Sequence, residues 1–154
     1  MPPQPSNLSF QTVLITGGAG GIGRALASHF IASGKKVIIA GRTASTLKTT
    51  AEEIGAAACY VLDTGATASI PPFIAKLVQE HPDLDCLINN AGVQRPLSVL
   101  DDPPAEFLAK ADQELDINVR GPLHLELGLL PHFRAKGAAT IVNVSSVLGS
   151  CRSA

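Results

Sequence analysis

The sequence lacks the features of secreted, metal-binding and nucleic-acid-binding proteins. Its 154 residues include no tryptophan, one tyrosine, one methionine and three cysteines, and the formal net charge is −1. Cys59, Cys86 and Cys151 stand far apart, without the paired spacing of a disulfide framework or a zinc site, so we expect ordinary buried or free thiols. The lysines and arginines are scattered along the chain, so no basic patch predicts binding to nucleic acid.

Long apolar runs are missing too. No run approaches the roughly 20 residues that cross a bilayer, and residues 1–6 have neither the basic nor the apolar part of a signal peptide. We therefore expect a cytoplasmic protein with no membrane partner. The four histidines show no ligand spacing, and we expect no metal site. What the chain does contain is a large apolar fraction, 45% against 16% charged residues, which is typical of a folded domain.

The order of apolar and polar runs predicts one domain of alternating strands and helices. Residues 1–10 are Pro-rich and polar, and we expect a flexible lead-in there, followed by the domain over 11–154. Helical spacing of apolar residues predicts a helix in each interval between strands. Five strands alternating with four helices indicate a parallel sheet with right-handed crossovers. The predicted strands span 12–16, 36–40, 59–62, 84–89 and 139–144.

The last predicted helix is the longest, from about Glu106 to Lys136. Gly137 follows as its cap, and Gly121-Pro122 and Pro131 are expected kinks because proline lacks the helical N–H donor. Apolar side chains recur along one side of this helix at helical spacing. They are Leu115, Val119, Leu123, Leu127 and Leu130.

A glycine cluster stands where the first strand meets the first helix, Thr16-Gly17-Gly18-Ala19-Gly20-Gly21-Ile22-Gly23. Glycine has no Cβ, so the backbone can turn sharply and approach a diphosphate, while amides at the start of the helix face its negative charge. The cluster fits G-x-G-x-x-G as Gly18, Gly20 and Gly23, and it also fits T-G-x-x-x-G-x-G as Thr16, Gly17, Gly21 and Gly23. Its place between a strand and a helix predicts a dinucleotide site.

Three further segments accompany the second form of this motif. Asn89-Asn90-Ala91-Gly92 closes the fourth strand, Asn118 lies in Ile117-Asn118-Val119-Arg120-Gly121-Pro122, and Ser145-Ser146 ends the fifth strand. With the glycine cluster, these segments resemble the short-chain dehydrogenase/reductase family over residues 12–146. The resemblance implies a Rossmann-type, doubly wound α/β fold with strand order 3-2-1-4-5, from which the C-terminal strands and helices of the family are missing.

The resemblance also implies roles for individual residues. Ser146, in preference to Ser145, would polarise the substrate carbonyl, and Asn118 would hold a water of the proton relay. Asp63 resembles the acid that contacts the adenine, although a helix N-cap is the alternative interpretation. The residues that we expect to bind the cofactor are Thr16, Gly17, Gly18, Gly21, Ile22, Gly23, Arg24, Arg42, Asp63, Asn90, Ala91, Gly92 and Arg120.

The end of the second strand favours NADP over NAD. A carboxylate there would accept hydrogen bonds from the ribose of NAD and would repel a 2′-phosphate, but the residues are Ala40-Gly41-Arg42-Thr43. Arg42 and Arg24 instead offer planar guanidinium donors to a phosphate. We therefore expect NADP as the cofactor.

The proton-donating pair of the family is absent from this sequence. By the resemblance, a tyrosine should follow the catalytic serine by about a dozen residues, with a lysine one helical turn later. Only eight residues follow Ser146, and none is Tyr or Lys. Tyr60 belongs to the third strand, on the far side of the first strand from the fourth and fifth. We therefore expect a truncated form of the family's protein, produced by an altered splice, a frameshift or a cut. In this form the fifth strand would be an exposed edge of the sheet. Its rate of carbonyl reduction would be near background, because the proton donor is missing.

These observations predict an NADP-dependent oxidoreductase that interconverts an unidentified small ketone or alcohol by hydride transfer, in a truncated and inactive form. The alternative is a non-enzymatic NADP-binding or dimerisation module. It would dock on a full-length relative through the helix over 106–136, giving a homo- or hetero-oligomer. A Rossmann-type domain of another group, such as an epimerase, fits less well because of Asn89-Asn90-Ala91-Gly92.

Overall fold

A five-stranded parallel sheet runs through the centre of the computed structural model, which describes residues 9–146. Its strand order is β3-β2-β1-β4-β5, and every pairing is parallel. The order and the fold class confirm the expectation from the resemblance, and each strand lies within two residues of its predicted bounds. The strands are β1 (Thr12–Thr16), β2 (Lys36–Gly41), β3 (Ala58–Val61), β4 (Cys86–Asn89) and β5 (Thr140–Asn143).

Helices cover both faces of this sheet because the inner strands are apolar on both sides. All five residues of β1 are buried, as expected for a strand covered from above and below. Leu14 packs with α3 and α5 on one face, whereas Val13 and Ile15 pack with α1 and α2 on the other. The helices are α1 (Gly21–Ala32), α2 (Ala44–Ile54), α3 (Ile70–Glu80), α4 (Pro104–Leu115) and α5 (Gly121–Lys136).

The long helix predicted over 106–136 is divided. A π-helical turn, Asp116–Arg120, separates α4 from α5, and α5 then continues through Pro131 without interruption. Pro122 has no N–H, so it cannot donate the α-helical hydrogen bond to the carbonyl of Asn118. The predicted kink at Gly121-Pro122 therefore takes the form of a locally widened helix.

The side of this helix that contacts the sheet is not the leucine-rich side singled out in the sequence. Leu115, Val119, Leu123 and Leu127 are between 48% and 60% exposed. The buried side consists of Ile117, Gly121, Leu125, Leu129 and Phe133. A Cβ on Gly121 would collide with the backbone carbonyl of Thr64, so glycine lets the start of α5 approach the loop after β3.

The expected flexible lead-in over 1–10 needs a correction at its end. Phe10 is 3% exposed, and its ring packs edge-on against Phe30 of α1 at 5.2 Å between centroids. The backbone N–H of Gln11 donates to the carboxylate of Asp85. Phe10 therefore belongs to the core, because its ring packs against Phe30. The Pro-rich composition around Phe10 does not reveal this contact. Residues 1–8 and 147–154, including Cys151, lie outside the described residues.

Two structural features are absent from residues 9–146. No helix in this range is both long enough and apolar enough to cross a bilayer. No group of three or more metal-ligating side chains occurs within it.

Candidate functional site

A cleft opens where β1, β2, β3 and β4 end, at the carboxyl edge of the sheet. In open parallel sheets the strand order reverses at one point, and ligands bind at that point outside the carboxyl ends of the strands. Here the reversal lies between β1 and β4. The cleft is lined by Gly17, Gly20, Ile22, Gly41, Arg42, Leu62, Asp63, Thr64, Asn90, Ala91, Gly92, Val93 and Ile117.

The glycine turn after β1 forms one wall of the cleft, and its geometry separates the two possible motif forms. Gly17 and Gly21 have φ values of +65° and +49°, a region that side chains other than glycine rarely adopt. A Cβ on Gly23 would collide with the carbonyl of Gly17 and would lie 2.5 Å from Asn90 Nδ2. A Cβ on Gly20 would meet nothing within 4 Å. The turn therefore requires glycine at Gly17, Gly21 and Gly23, which favours the T-G-x-x-x-G-x-G form.

Hydrogen bonds fix this turn against the segment after β4. The hydroxyl of Thr16, which is 2% exposed, accepts from the backbone N–H groups of Asn90 and Ala91 at 3.0 Å each. In return, the side-chain amide of Asn90 donates to the carbonyl of Thr16 at 3.0 Å and to that of Gly17 at 3.4 Å. Thr16 is thus a support behind the cleft and does not line it.

Arg42 and Asp63 lie on the other side of the cleft. Arg42 follows β2 directly and lines the cleft, with Gly41 in place of an acid at the strand end. The carboxylate of Asp63 accepts the N–H of Gly65 at 2.9 Å, a short turn of the kind that aspartate forms two residues on. Because α3 begins only at Ile70, Asp63 does not cap it, and the N-cap interpretation is wrong.

Asn118 joins the break in the long helix to the loop after β4. Its side-chain oxygen accepts the N–H of Val93 at 2.9 Å, and its side-chain nitrogen donates to the carbonyl of Val93 at 2.7 Å. Both side-chain groups are therefore used within the protein. The backbone carbonyl of Asn118 is the group that lacks its α-helical donor, because that donor would be Pro122.

Ser145 and Ser146 follow the end of β5, and both are exposed. The N–H of Val144 donates to the carbonyl of Asn89 at 2.9 Å, so pairing with β4 extends almost to the serines. Burial alternates along β5, and Ile141 is 39% exposed. Among the described strands β5 is paired on one side alone, as expected for an edge.

The one tyrosine of the sequence lies far from these serines. Tyr60 is on β3, three strands from β4 and four from β5 in the sheet order. Its hydroxyl donates to the carboxylate of Glu80 and lies 2.8 Å from Nε2 of His81. Burial and the neighbouring carboxylate raise the pKa of Tyr60 well above its usual value. The expectation that Tyr60 cannot act as the proton donor therefore agrees with its position and environment.

Six of the predicted cofactor residues do not line the cleft: Thr16, Gly18, Gly21, Gly23, Arg24 and Arg120. Arg24 pairs with Glu53 of α2 at 2.9 Å, and Arg120 pairs with Asp116 within the π-helical turn. Each guanidinium group thus pairs with a carboxylate of the protein, and neither Arg24 nor Arg120 lines the cleft. Gly18 is outside the lining as well. A Cβ there would lie 2.7 Å from Ile39, so glycine at this position serves packing against Ile39.

Six residues of the lining were not among the predicted cofactor residues. Gly20, Gly41 and Val93 are neighbours of predicted residues, and their place could have been inferred from adjacency. Leu62, Thr64 and Ile117 depend on how the loop after β3 meets the π-helical turn. A Cβ on Gly65 would lie 2.8 Å from Ile117, a close approach that no local pattern encodes.

Known proteins with this cleft and strand order provide an independent comparison. A family model described as short chain dehydrogenase matches residues 11–154. The chain belongs to the short-chain dehydrogenase/reductase family. An uncharacterized oxidoreductase of this kind, DltE of Bacillus subtilis, is 34% identical over 140 residues, which cover 89% of this chain and 54% of DltE.

Other members of the short-chain dehydrogenase/reductase family show the same partial coverage. The NADP-dependent 3-hydroxy acid dehydrogenase YdfG of Salmonella typhimurium is 32% identical over 141 residues, 90% of this chain and 55% of YdfG. The closed form of serine dehydrogenase complexed with NADP+ matches with a TM-score of 0.81 at 29% identity, over 94% of this chain and 57% of that one. The chain spans about half the length of the curated relatives that it matches.

Proposed function

We propose that this chain is an NADP-binding oxidoreductase domain of the short-chain type, with the cleft between the glycine turn and Arg42 as its nucleotide site. The observation that carries the proposal is steric. A Cβ on Gly23 would collide with the carbonyl of Gly17, and Gly17 has a φ of +65° that other residues rarely adopt, so no side chain at these two positions separates the backbone from a diphosphate. Similarity to a relative named for NADP and to a structure complexed with NADP+ supports the same nucleotide.

The residues of the cleft fit such a nucleotide. Amides at the start of α1 would face the diphosphate, and Asp63 would face the adenine. Arg42 would pair with the 2′-phosphate, since no carboxylate stands at the end of β2 to repel it. The nicotinamide, when bound, supplies or accepts the hydride of an alcohol–ketone interconversion.

Turnover needs more than hydride transfer. A carbonyl that gains a hydride must also gain a proton, and the donor must be acidic enough near neutral pH. Ser146 or Ser145 would polarise the carbonyl, and the backbone of Asn118 would hold a water. No tyrosine or lysine follows these serines in the sequence. For the 154-residue chain by itself, we propose binding of NADPH and reduction of small ketones at or near the background rate.

Arg42 provides the experiment. NADPH and NADH are titrated into the wild-type chain and into Arg42→Gln by quenching or enhancement of nicotinamide fluorescence. The substitution should weaken NADPH binding by about tenfold to a hundredfold, the range expected for a hydrogen bond to a charged group, and should leave NADH binding nearly unchanged. Equal losses for both nucleotides would contradict recognition of the 2′-phosphate by Arg42. Robust reductase turnover by the same preparation would contradict the proposed inactivity.

A second function is favoured by the exposed side of the helix pair. Leu115, Val119, Leu123 and Leu127 form an apolar stripe along α4 and α5, each about half exposed or more. Large exposed apolar patches mark protein–protein interaction sites. We propose that this stripe is a docking surface for a second copy or for a full-length relative.

The mass of the particle in solution tests this docking. Sedimentation equilibrium should show dimers of the wild-type chain, and Val119→Lys should shift them to monomers because a charge would be buried. Val61→Lys is the matched control, since Val61 is 60% exposed on β3 at the opposite edge, against 54% for Val119. A monomeric wild-type chain that also fails to bind a full-length relative would remove this second function.

A further inference from the structure

A buried hydroxyl on α2 holds the glycine turn in place. Thr50 is 2% exposed, and its Oγ1 donates to the backbone carbonyl of Ala19 at 3.1 Å. Ala19 is the central residue of the glycine turn, next to the cleft residue Gly20. Thr50 itself does not line the cleft, so any effect that it has on a ligand must pass through this turn.

The bond from Thr50 completes a closed path of chain around one end of the cleft. The N–H of Gly18 donates to the carbonyl of Ala40 at 3.2 Å, at the end of β2. From Ala40 the chain continues through Arg42 into α2, and the hydrogen bond from Thr50 in α2 leads back to Ala19. Arg42 lies on this path, and Gly20 directly follows Ala19, at which the path closes; both residues line the cleft. The two hydrogen bonds therefore restrain the glycine turn relative to the segment that carries Arg42.

An ion pair joins the same two helices, but it is weaker as a restraint. Arg24 of α1 lies 2.9 Å from Glu53 of α2, and the two side chains are 45% and 51% exposed. Exposed ion pairs are screened by solvent and contribute little. The hydrogen bond of Thr50 is part-buried, and without the hydroxyl the half-buried Ala19 carbonyl would lose this partner, at a greater cost than the loss of an exposed ion pair. Thr50 is thus the stronger link between α2 and the turn.

We infer that Thr50 is a positioning residue that sets the distance between Gly20 and Arg42, and through it the preference for a nucleotide carrying a 2′-phosphate. The inference rests on the proposed nucleotide site. A turn that is already ordered before binding loses less conformational freedom when the ligand arrives, so the restraint contributes to affinity without any contact. The contribution is largest for the ligand that contacts both the glycine turn and Arg42, which is the 2′-phosphorylated nucleotide.

Neighbouring threonines make a matched test. Thr50→Val replaces the hydroxyl with a methyl group of similar size, Thr50→Ser keeps the hydroxyl, and Thr49→Val makes the same change at an exposed position. Thr50→Val should weaken NADPH binding by about fivefold, the equilibrium factor of one net hydrogen bond, with a clearly smaller change for NADH. Thr50→Ser and Thr49→Val should bind both nucleotides like the wild type. Unchanged NADPH binding by Thr50→Val, or equal losses for both nucleotides, would overturn the inference.

A measurement without nucleotide separates this inference from the proposed function. Amide hydrogen exchange should speed up at residues 17–21 in Thr50→Val, and in Thr50→Ala as a second variant, while exchange in β1 and β4 stays as in the wild type. Exchange that is unchanged at the turn would overturn the restraint, whatever the nucleotide affinity. Faster exchange at the turn, in a protein that binds neither nucleotide, would uphold the restraint, overturn the proposed nucleotide site and remove the specificity that we assign to Thr50.

Discussion

The two sides of the carboxyl edge of the sheet are built very differently. Around the glycine turn, β1 is buried at every residue, and Thr16 and Asn90 exchange hydrogen bonds across the turn. Around the serines, β5 is exposed at alternate residues. There, the buried Oδ1 of Asn89 has no hydrogen-bond partner among the described residues, although its Nδ2 donates to Glu126 and Asn143.

Under the proposed function, this difference places nucleotide binding and proton transfer in separate parts of the fold. The nucleotide side is held by contacts among residues 9–146. Among the same residues, the side with the serines has an edge strand, exposed serines and the buried Oδ1 of Asn89 without a partner. The proposed nucleotide binding depends on the first of these two sides alone.

Two isoleucines on strands provide the test with the largest expected effect. Ile15 is fully buried on β1, whereas Ile141 is 39% exposed on β5. Ile15→Ala should lower the free energy of unfolding by about 4 kcal/mol because it leaves a cavity, and Ile141→Ala by about 1 kcal/mol. Urea unfolding followed by circular dichroism measures both. Equal losses would break the contrast between the two sides.

Two glycines sharpen the contrast within the nucleotide side. Gly23→Ala places a Cβ against the carbonyl of Gly17, so the free energy of unfolding should fall by about 3 kcal/mol. Gly20→Ala meets no atom within 4 Å and should change stability by less than about 0.5 kcal/mol. Thermal unfolding of the two variants checks this order. A harmless Gly23→Ala would mean that the turn is not packed as described.

The amino ends of the strands, opposite the cleft, give the smallest expected effect. His81 lies beside Tyr60, and its Nδ1 is buried without a partner among the described residues. Burial and the Lys36 ammonium lower the pKa of His81, and this outweighs the opposing effect of Asp83 and Glu80. The unfolded chain therefore takes up the proton first as the pH falls through about 6.5.

Stability should consequently decrease between about pH 7.5 and 5.5. His81→Gln should reduce this pH dependence, whereas His124→Gln, at an exposed position, should retain it. NADPH affinity at neutral pH should be the same in both variants, because His81 is remote from the cleft. Urea unfolding at several pH values measures the slopes. An unchanged slope in His81→Gln would contradict the environment assigned to this histidine.

Much of this architecture could be predicted from the sequence, because its signals are local. Each strand is a short β-branched or apolar run, and glycines mark the turn between β1 and α1. The two motif forms at that turn could not be distinguished from the sequence. Glycine is needed at Gly17 and not at Gly20 because of the φ angle and the neighbouring atoms at each position, which only the structure shows.

The face of α5 could not be predicted for a different reason. Leu115, Val119, Leu123 and Leu127 recur every fourth residue, but so do Ile117, Gly121, Leu125, Leu129 and Phe133. Periodicity alone cannot choose between two series with one spacing. The series that contains Gly121 is the buried one, because only glycine fits against the backbone of Thr64. The ion pair between Arg24 and Glu53 could not be predicted either, because the two residues are distant in sequence.

The central claim is that backbone amides of the glycine turn and the guanidinium of Arg42 bind a nicotinamide dinucleotide phosphate. Isothermal titration calorimetry of the folded wild-type chain with NADPH, and separately with NADH, tests it most directly. We predict uptake of NADPH at one site per chain, with weaker uptake of NADH. Absence of binding heat for both nucleotides, confirmed at a second temperature, would contradict the claim.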